Sequence, residues 1–200
     1  MNEKFFDLKK EKQDRMINGA MKVFALNGFM RASTDDMVKE AGISKGLWFH
    51  YFENKIGLYR FVTDYAVKYM NMELATGVVP GTDYFQVIRK IEETKLAVRK
   101  FYPYIPLFLS SLEDETNPEA LQEIRPYMNA YEERIQKCRE NLDYEQFTEA
   151  VNFNILDSSV HDTLKCMLMK AYQQDEFVPE AYLKSATDYL NMMSQITFKV

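Results

Sequence analysis

Thr34-Asp-Asp-Met-Val-Lys-Glu-Ala-Gly-Ile-Ser-Lys-Gly-Leu-Trp-Phe-His-Tyr-Phe-Glu-Asn-Lys55 sets the architecture of this chain. Two short runs with helical periodicity flank Gly42. Thr34 is placed to N-cap the first run, whose Met37, Val38 and Ala41 share one face, and Gly42 supplies the left-handed residue that ends it. Ile43 fills the corner, and Ser44 N-caps a second helix with Lys45, Gly46 and Leu47 in its first turn. Two helices joined by a glycine turn have the shape of a helix-turn-helix, in which the first turn of the second helix meets base edges in the major groove of DNA. Small, basic and exposed residues suit that position, so the first expectation is a reader of double-stranded DNA.

Followed in both directions, the stretch resembles the tetracycline-repressor (TetR) family of bacterial transcription regulators. The family's pattern runs through an apolar helix, Gly-Phe/Tyr, Thr, Ala-Gly-Val/Ile-Ser-Lys-Gly, a small or polar residue, Leu/Ile, and Tyr-x-Tyr/His-Phe-x-x-Lys. Here the pattern is carried by Val23-Phe24-Ala25, Gly28-Phe29, Thr34 and the unbroken stretch from Ala41 to Lys55. Leu47 stands where the family usually has Thr, Ser or Ala, and Phe49 where it usually has Tyr. A Phe at 49 brings no hydroxyl to a phosphate, while Leu47 can touch a thymine methyl. Trp48 takes the inward position and needs room beside Phe24, Met37 and Phe52.

The resemblance implies an all-α protein with an N-terminal three-helix DNA-binding domain over 1–54 and a helical domain for effector binding and dimerisation over 55–200. Carried over residue by residue, it implies DNA contacts from Thr34, Ser44, Lys45, Gly46, Leu47, Phe49, His50, Tyr51 and Lys55. Lys55, Tyr51, His50 and Thr34 are expected at phosphates and Lys45 and Leu47 at bases, with Gly46 allowing the backbone a close approach. It further implies a homodimer on an inverted-repeat operator and a small effector that relieves repression. A TetR-fold adaptor that has lost operator binding is the alternative, and Asp35, Asp36 and Phe49 are the residues that favour it.

Composition agrees without deciding. Residues 1–55 hold ten Lys and Arg against eight Asp and Glu, and residues 56–200 hold fifteen against twenty-two. The basic excess lies at the reading end but falls well short of a basic stripe, with Lys4, Lys9, Lys10, Lys12 and Arg15 either approaching the DNA backbone or forming a solvated amphipathic start. Seven Gly and six Pro in 200 residues favour long helices over a turn-rich β fold. No charge-free apolar run approaches the roughly 18 residues of a membrane span, and the opening residues lack a signal-peptide core, so a cytoplasmic protein is expected. Cys138 and Cys166 are too few and too far apart for a disulfide framework or a zinc site.

The helical period continues along the chain. A first helix is expected from about Lys10 to Asn27, ended by Gly28, and a linking helix from about Lys55 to Leu74, broken by Gly77, Pro80 and Gly81. Another is expected from about Asp83 to Lys100. Pro103 and Pro106 force short or broken turns after it, and Pro118 opens a helix that Pro126 should kink. Two long helices close the chain, from about Tyr144 to Gln173 and from Pro179 to Phe198, with Asp175 in the turn between them. Both carry apolar residues on more than one side, such as Ile155 beside Leu164 and Leu168, or Ile196 beside Leu190, and a helix apolar on two faces needs two partners. Pairing with a second copy through these helices makes the four-helix interface that the family implies.

The regulatory part is rich in aromatic residues. Tyr65, Tyr69, Phe101, Tyr104, Phe108, Tyr127, Tyr131, Phe153 and His161 are the candidates to line a cavity for a small, apolar or aromatic effector, although aromatic residues at helical spacing also build cores. No cofactor and no metal are expected, and no catalytic residues. Asp157 and His161, four apart on one helix, offer a base or two metal ligands, but no third ligand, nucleophile motif or phosphate loop joins them, which favours a hydrogen-bonded pair on the helix.

Overall fold

A helix begins most cheaply where a side chain accepts one of the N–H groups that its first turn leaves unpaired. Ser33, Ser44, Asn54, Asp83, Asn117 and Asn152 each accept such a bond. The computed structural model describes residues 3–174 and 176–199, and among these it holds nine α-helices. They are α1 Lys10–Arg31, α2 Thr34–Ala41, α3 Lys45–Tyr51, α4 Lys55–Gly77, α5 Tyr84–Val98, α6 Ile105–Leu112, α7 Pro118–Cys138, α8 Phe153–Tyr172 and α9 Pro179–Thr197. Glu3–Asp7 and Tyr144–Gln146 form single 3-10 turns, and Phe147 makes an isolated antiparallel bridge with Phe198. The protein is all-α. None of the described helices is long and apolar enough to cross a membrane.

Three sequence expectations change. Thr34 is the first helical residue of α2, not its cap; Ser33, in extended conformation, accepts the Asp35 N–H at 3.1 Å. Gly28 does break α1, at φ 69° and ψ 171°, but Phe29–Arg31 adds one further turn before the helix stops at Ala32. The long helix expected from Tyr144 starts only at Phe153. Phe147 is itself extended and buried in the bridge to Phe198, a turn follows at Glu149-Ala150, and Asn152 then caps α8. Asp175 lies outside the described residues.

Contacts gather the chain into two compact units. The first comprises the chain up to Glu73 with Val98–Glu133, and the second Leu74–Ala97 with the chain from Arg134 onward. This packing partition differs from the division at 54/55 expected from the sequence. In the first unit, α1 packs on α2 and on α6, burying Met16, Ile17, Ala20, Met21 and Phe24 with Met37, Leu58, Val62, Ile105 and Phe108. Gly19 makes the α1–α2 approach close: a Cβ there would lie 3.0 Å from the Ala41 nitrogen and 3.2 Å from the Met37 carbonyl oxygen. In the second unit, α8 buries Leu156, Val160, Leu164 and Leu168 along one stripe, and α9 buries Tyr182, Ala186 and Leu190.

Candidate nucleic-acid interface

The turn between α2 and α3 is fixed by backbone geometry. Gly42 adopts φ 61° and ψ 44°, where a side chain would be strained, and its N–H and that of Ile43 return to the Lys39 and Val38 carbonyls, both at 3.2 Å. Ser44 then caps α3, its Oγ accepting the Leu47 N–H at 3.3 Å. Trp48, 2% exposed, packs its ring 5.3 Å from that of Phe52 and anchors the inner side of α3. Its outer side presents Lys45, Gly46, Phe49 and His50, with Leu47 half-buried beside them. A Cβ built on Gly46 meets nothing within 4 Å, so the space over that backbone is open.

Charge on this face is held loosely. Lys45 pairs with Asp35 at 2.6 Å, with the two side chains 58% and 69% exposed. So exposed a pair contributes only about 0–1 kcal/mol, so a phosphate or base edge can take Lys45 from it at little cost. Asp35 and Asp36 also sit in the first turn of α2, where the helix dipole favours carboxylates.

Two expected contact residues have structural duties. Tyr51 is 8% exposed, its ring edge-on to Phe5 at 5.9 Å and to His50 at 4.8 Å, so it offers little surface to DNA. Lys55 donates to the Met30 and Ala32 carbonyl oxygens at 3.2 and 3.3 Å, with its ammonium 4.6 Å from the Phe29 ring centre. It thus caps the last turn of α1. Sequence reasoning also missed Phe5, which is fully buried against Tyr51, Phe52 and Phe61. An apolar pair, Phe5-Phe6, just before a charged helix was the available signal.

Residues 16–61 match the model of bacterial regulatory proteins, tetR family. That segment is a TetR-type helix-turn-helix domain. Over 185 residues the chain is 25% identical to the HTH-type transcriptional regulator YvdT of Bacillus subtilis (strain 168), spanning 90% of this chain and 93% of that protein. Its fold is that of a TetR family transcriptional regulator from Chloroflexus aurantiacus, with TM-score 0.67 at 17% identity over 100% of this chain and 99% of that one. It is also that of the TetR family regulator PfmR from Thermus thermophilus, with TM-score 0.61 at 20% identity over 92% and 95%. These relatives are transcription regulators, and at such identities the solved structures speak for the fold alone.

Beyond the matched segment, the nine candidate effector residues have different surroundings. Tyr65 and Tyr69 stack side by side on α4 and meet Tyr102, which sequence reasoning did not single out. Tyr102 donates to Asp14 at 2.7 Å, Lys10 donates to the Tyr102 hydroxyl at 2.8 Å, and the Tyr65 and Tyr102 hydroxyls are hydrogen-bonded. Burial works against the Lys10 charge, but its bonds to Asp14 and Tyr65 outweigh it and hold the ammonium above its usual range. Phe108 is wholly core, Phe101 is exposed, and the Tyr104 ring lies 5.7 Å beneath Lys22. Tyr127 and Tyr131 are half-buried on α7. In the second unit, Phe153 packs against Tyr84, Tyr144 and Phe147, and His161 is exposed. Asp157 accepts from Tyr84 at 2.8 Å and pairs with Arg139 at 3.1 Å, bonds that reach beyond its own helix. A shallow pocket of about 140 Å³, lined by Phe52, Glu53, Asn54, Ile56, Gly57, Arg60 and Glu123, includes none of the nine.

Proposed function

We propose that this chain is a cytoplasmic dimeric repressor that reads an inverted-repeat operator and is released by a small effector. The open, glycine-bearing outer side of α3 carries the reading: Lys45, Gly46, Phe49 and His50 are exposed together while Trp48 anchors the helix from behind. Lys45 and Leu47 then address base edges and Phe49 adds apolar contact. Thr34, His50, the Ser44 hydroxyl hydrogen and the remaining Lys55 N–H serve phosphates, and Tyr51 acts mainly by holding α3. Residues 1–54 make up the reading part and 55–200 the effector and dimerisation part.

Dimerisation through α8 and α9 is supported by their outer stripes. Ile155, Cys166 and Met169 on α8 face solvent opposite the buried stripe of that helix, and Met192 and Ile196 on α9 face solvent beside the buried stripe of theirs. Covering such apolar area with a second copy is favourable, and a twofold axis would set two α3 helices about 34 Å apart, one duplex turn. The effector belongs among the aromatic helices, with Tyr65 and Tyr69 as first candidates beside Tyr104, Tyr127, Tyr131, Phe153 and His161. It must favour the DNA-incompetent state by several kcal/mol to act as a strong switch.

The test is to incubate the protein with sheared genomic DNA from the organism that encodes it and sequence what it retains. One inverted repeat enriched by the wild-type chain and lost with Lys45→Ala is expected. Equal retention of all fragments, or none, overturns the reading. Because Lys55 also caps α1, Lys45→Ala is the cleaner control.

A further inference from the structure

The break at Gly28 leaves a backbone group in need of a partner. Phe29 cannot continue the hydrogen-bond ladder across the break, and its N–H donates instead to Oε2 of Glu115 at 3.0 Å. Glu115 lies on the short connection from α6 to α7, far away in sequence. The same Oε2 also accepts from the Tyr59 hydroxyl of α4 at 3.4 Å, and the Tyr59 ring packs on Phe29 at 5.1 Å and on Phe24 at 4.7 Å. Oε1 faces the other way, accepting the N–H groups of Thr116 and Asn117 at 3.0 and 2.8 Å. Asn117 in turn caps α7 through Ala120 at 2.9 Å and donates to the Met30 sulfur at 3.0 Å.

Lys55 completes the arrangement from the opposite end of the same turn, through the Met30 and Ala32 carbonyls. The turn 28–32 is thus gripped at its N–H end by an anion and at its carbonyl end by a cation, the polarity that suits each end of a helical segment. Immediately after it comes Ser33, the cap of α2. Whatever orients this turn therefore orients α2, and through the rigid Gly42 corner it orients α3. Of the two grips, only Glu115 is tied to the start of α7.

We propose that Glu115 is a positioning residue for DNA reading: one carboxylate oxygen holds the start of α7 and the other holds the turn that leads into α2, so that the position of α7 sets the pitch of the recognition helix. The inference rests on the DNA-reading function proposed above and names the link by which that reading is regulated. A carboxylate is suited to the task because its two oxygens accept in two directions at once, whereas an amide has one acceptor. Tyr59 stays neutral at any physiological pH, since burial and the neighbouring Glu115 charge both push its phenol upward, so its donation to the clamp is permanent.

The experiment compares wild type, Glu115→Gln and Glu115→Ala, each titrated with the operator fragment recovered above and with random-sequence DNA of the same length, at a temperature where circular dichroism shows equal helix content. Lost stability alone lowers both affinities in the same proportion, because each scales with the folded fraction. A mis-set recognition helix weakens operator binding while phosphate contacts to random DNA persist. The expected result is a drop in the operator-to-random ratio of about two- to thirtyfold, the range found for couplings between linked sites. An unchanged ratio in the variants overturns the role of Glu115 while leaving DNA reading intact. A wild-type chain with no operator preference overturns the DNA reading, and this inference with it. If Glu115→Ala does not fold, Glu115→Gln decides, since it keeps the side chain's size and one acceptor.

Discussion

Gly46 is the residue whose identity the protein itself least requires. Its φ is not positive and an added methyl meets nothing, so glycine in this first turn costs some helix stability, below the about 1 kcal/mol of a helix interior, without an internal return. A close backbone approach to DNA is the return that fits. Gly46→Ala is therefore expected to raise the urea midpoint slightly or leave it unchanged, and to weaken operator binding at least tenfold in a fluorescence-anisotropy titration. Gly19 is the opposite case. Its missing side chain is filled by the Ala41 backbone, so alanine there should loosen α1 from α2 and destabilise the fold. Gly46 is marked in the sequence by its place at the start of the second helix of the motif, whereas Gly19 is distinguished only by the Ala41 backbone packed against it.

Among the elements, the 3-10 turn Glu3–Asp7 has the most unexpected part. Phe5 closes an aromatic group with Tyr51, Phe52 and Phe61 at ring distances between 5.3 and 5.9 Å, tying the start of the chain to the end of α3 and to α4. Phe5→Ala should cost less than the about 3–5 kcal/mol of a closed Phe cavity, because a terminal segment can detach rather than leave a void. It should still lower the melting temperature by several degrees. Trp48, the single tryptophan, sits against Phe52 and reports the change: its emission should shift to the red in Phe5→Ala as water gains access. An unshifted spectrum with an unchanged melting temperature would mean that the turn does not brace α3. The caps teach a related lesson. Ser33 rather than Thr34 starts α2, because adjacent hydroxyl residues compete for one role and the backbone conformation chooses between them.

Across the protein as an assembly, the outer stripes of α8 and α9 make oligomeric state a direct test. Ile155 and Ile196 are 66% and 65% exposed, and a charge placed there costs nothing in a monomer but must be desolvated in a dimer. Ile196→Glu is expected to sediment as a monomer with unchanged helix content; a dimer of undiminished affinity would locate the interface elsewhere. Alkaline pH gives a second test. Burial above all, and then a neighbouring carboxylate, push the phenols of Tyr59, Tyr84 and Tyr182 well above their ordinary value of 10.0. Below pH 10 these phenols are neutral folded or unfolded, and their contribution is complete. Above it the unfolded chain ionises first and the folded state holds more protons, so stability must fall as pH rises, by up to about 1.4 kcal/mol per unit for each phenol. Urea midpoints measured from pH 9 to 11 should drop, and Tyr182→Phe should flatten the slope whatever it does to the starting level.

The helix-turn-helix is legible in the amino-acid order because its determinants are local: a glycine whose φ must be positive, a serine that caps within three residues, and an apolar period that 3.6 residues per turn makes visible. The all-α class followed for the same reason. Where a break depended on a distant partner, the sequence was silent. Phe147 leaves the helical path for a bridge to Phe198, Lys55 bends back to cap α1, and Glu115 reaches a Phe29 amide 86 residues away. Aromatic residues were equally opaque, since nothing in the local sequence separates Phe108, in the core, from Phe101, on the surface. Their fates emerge only when the chain packs, because burial is settled by what lies against a face and hydrogen-bond partners by which distant segments are brought together.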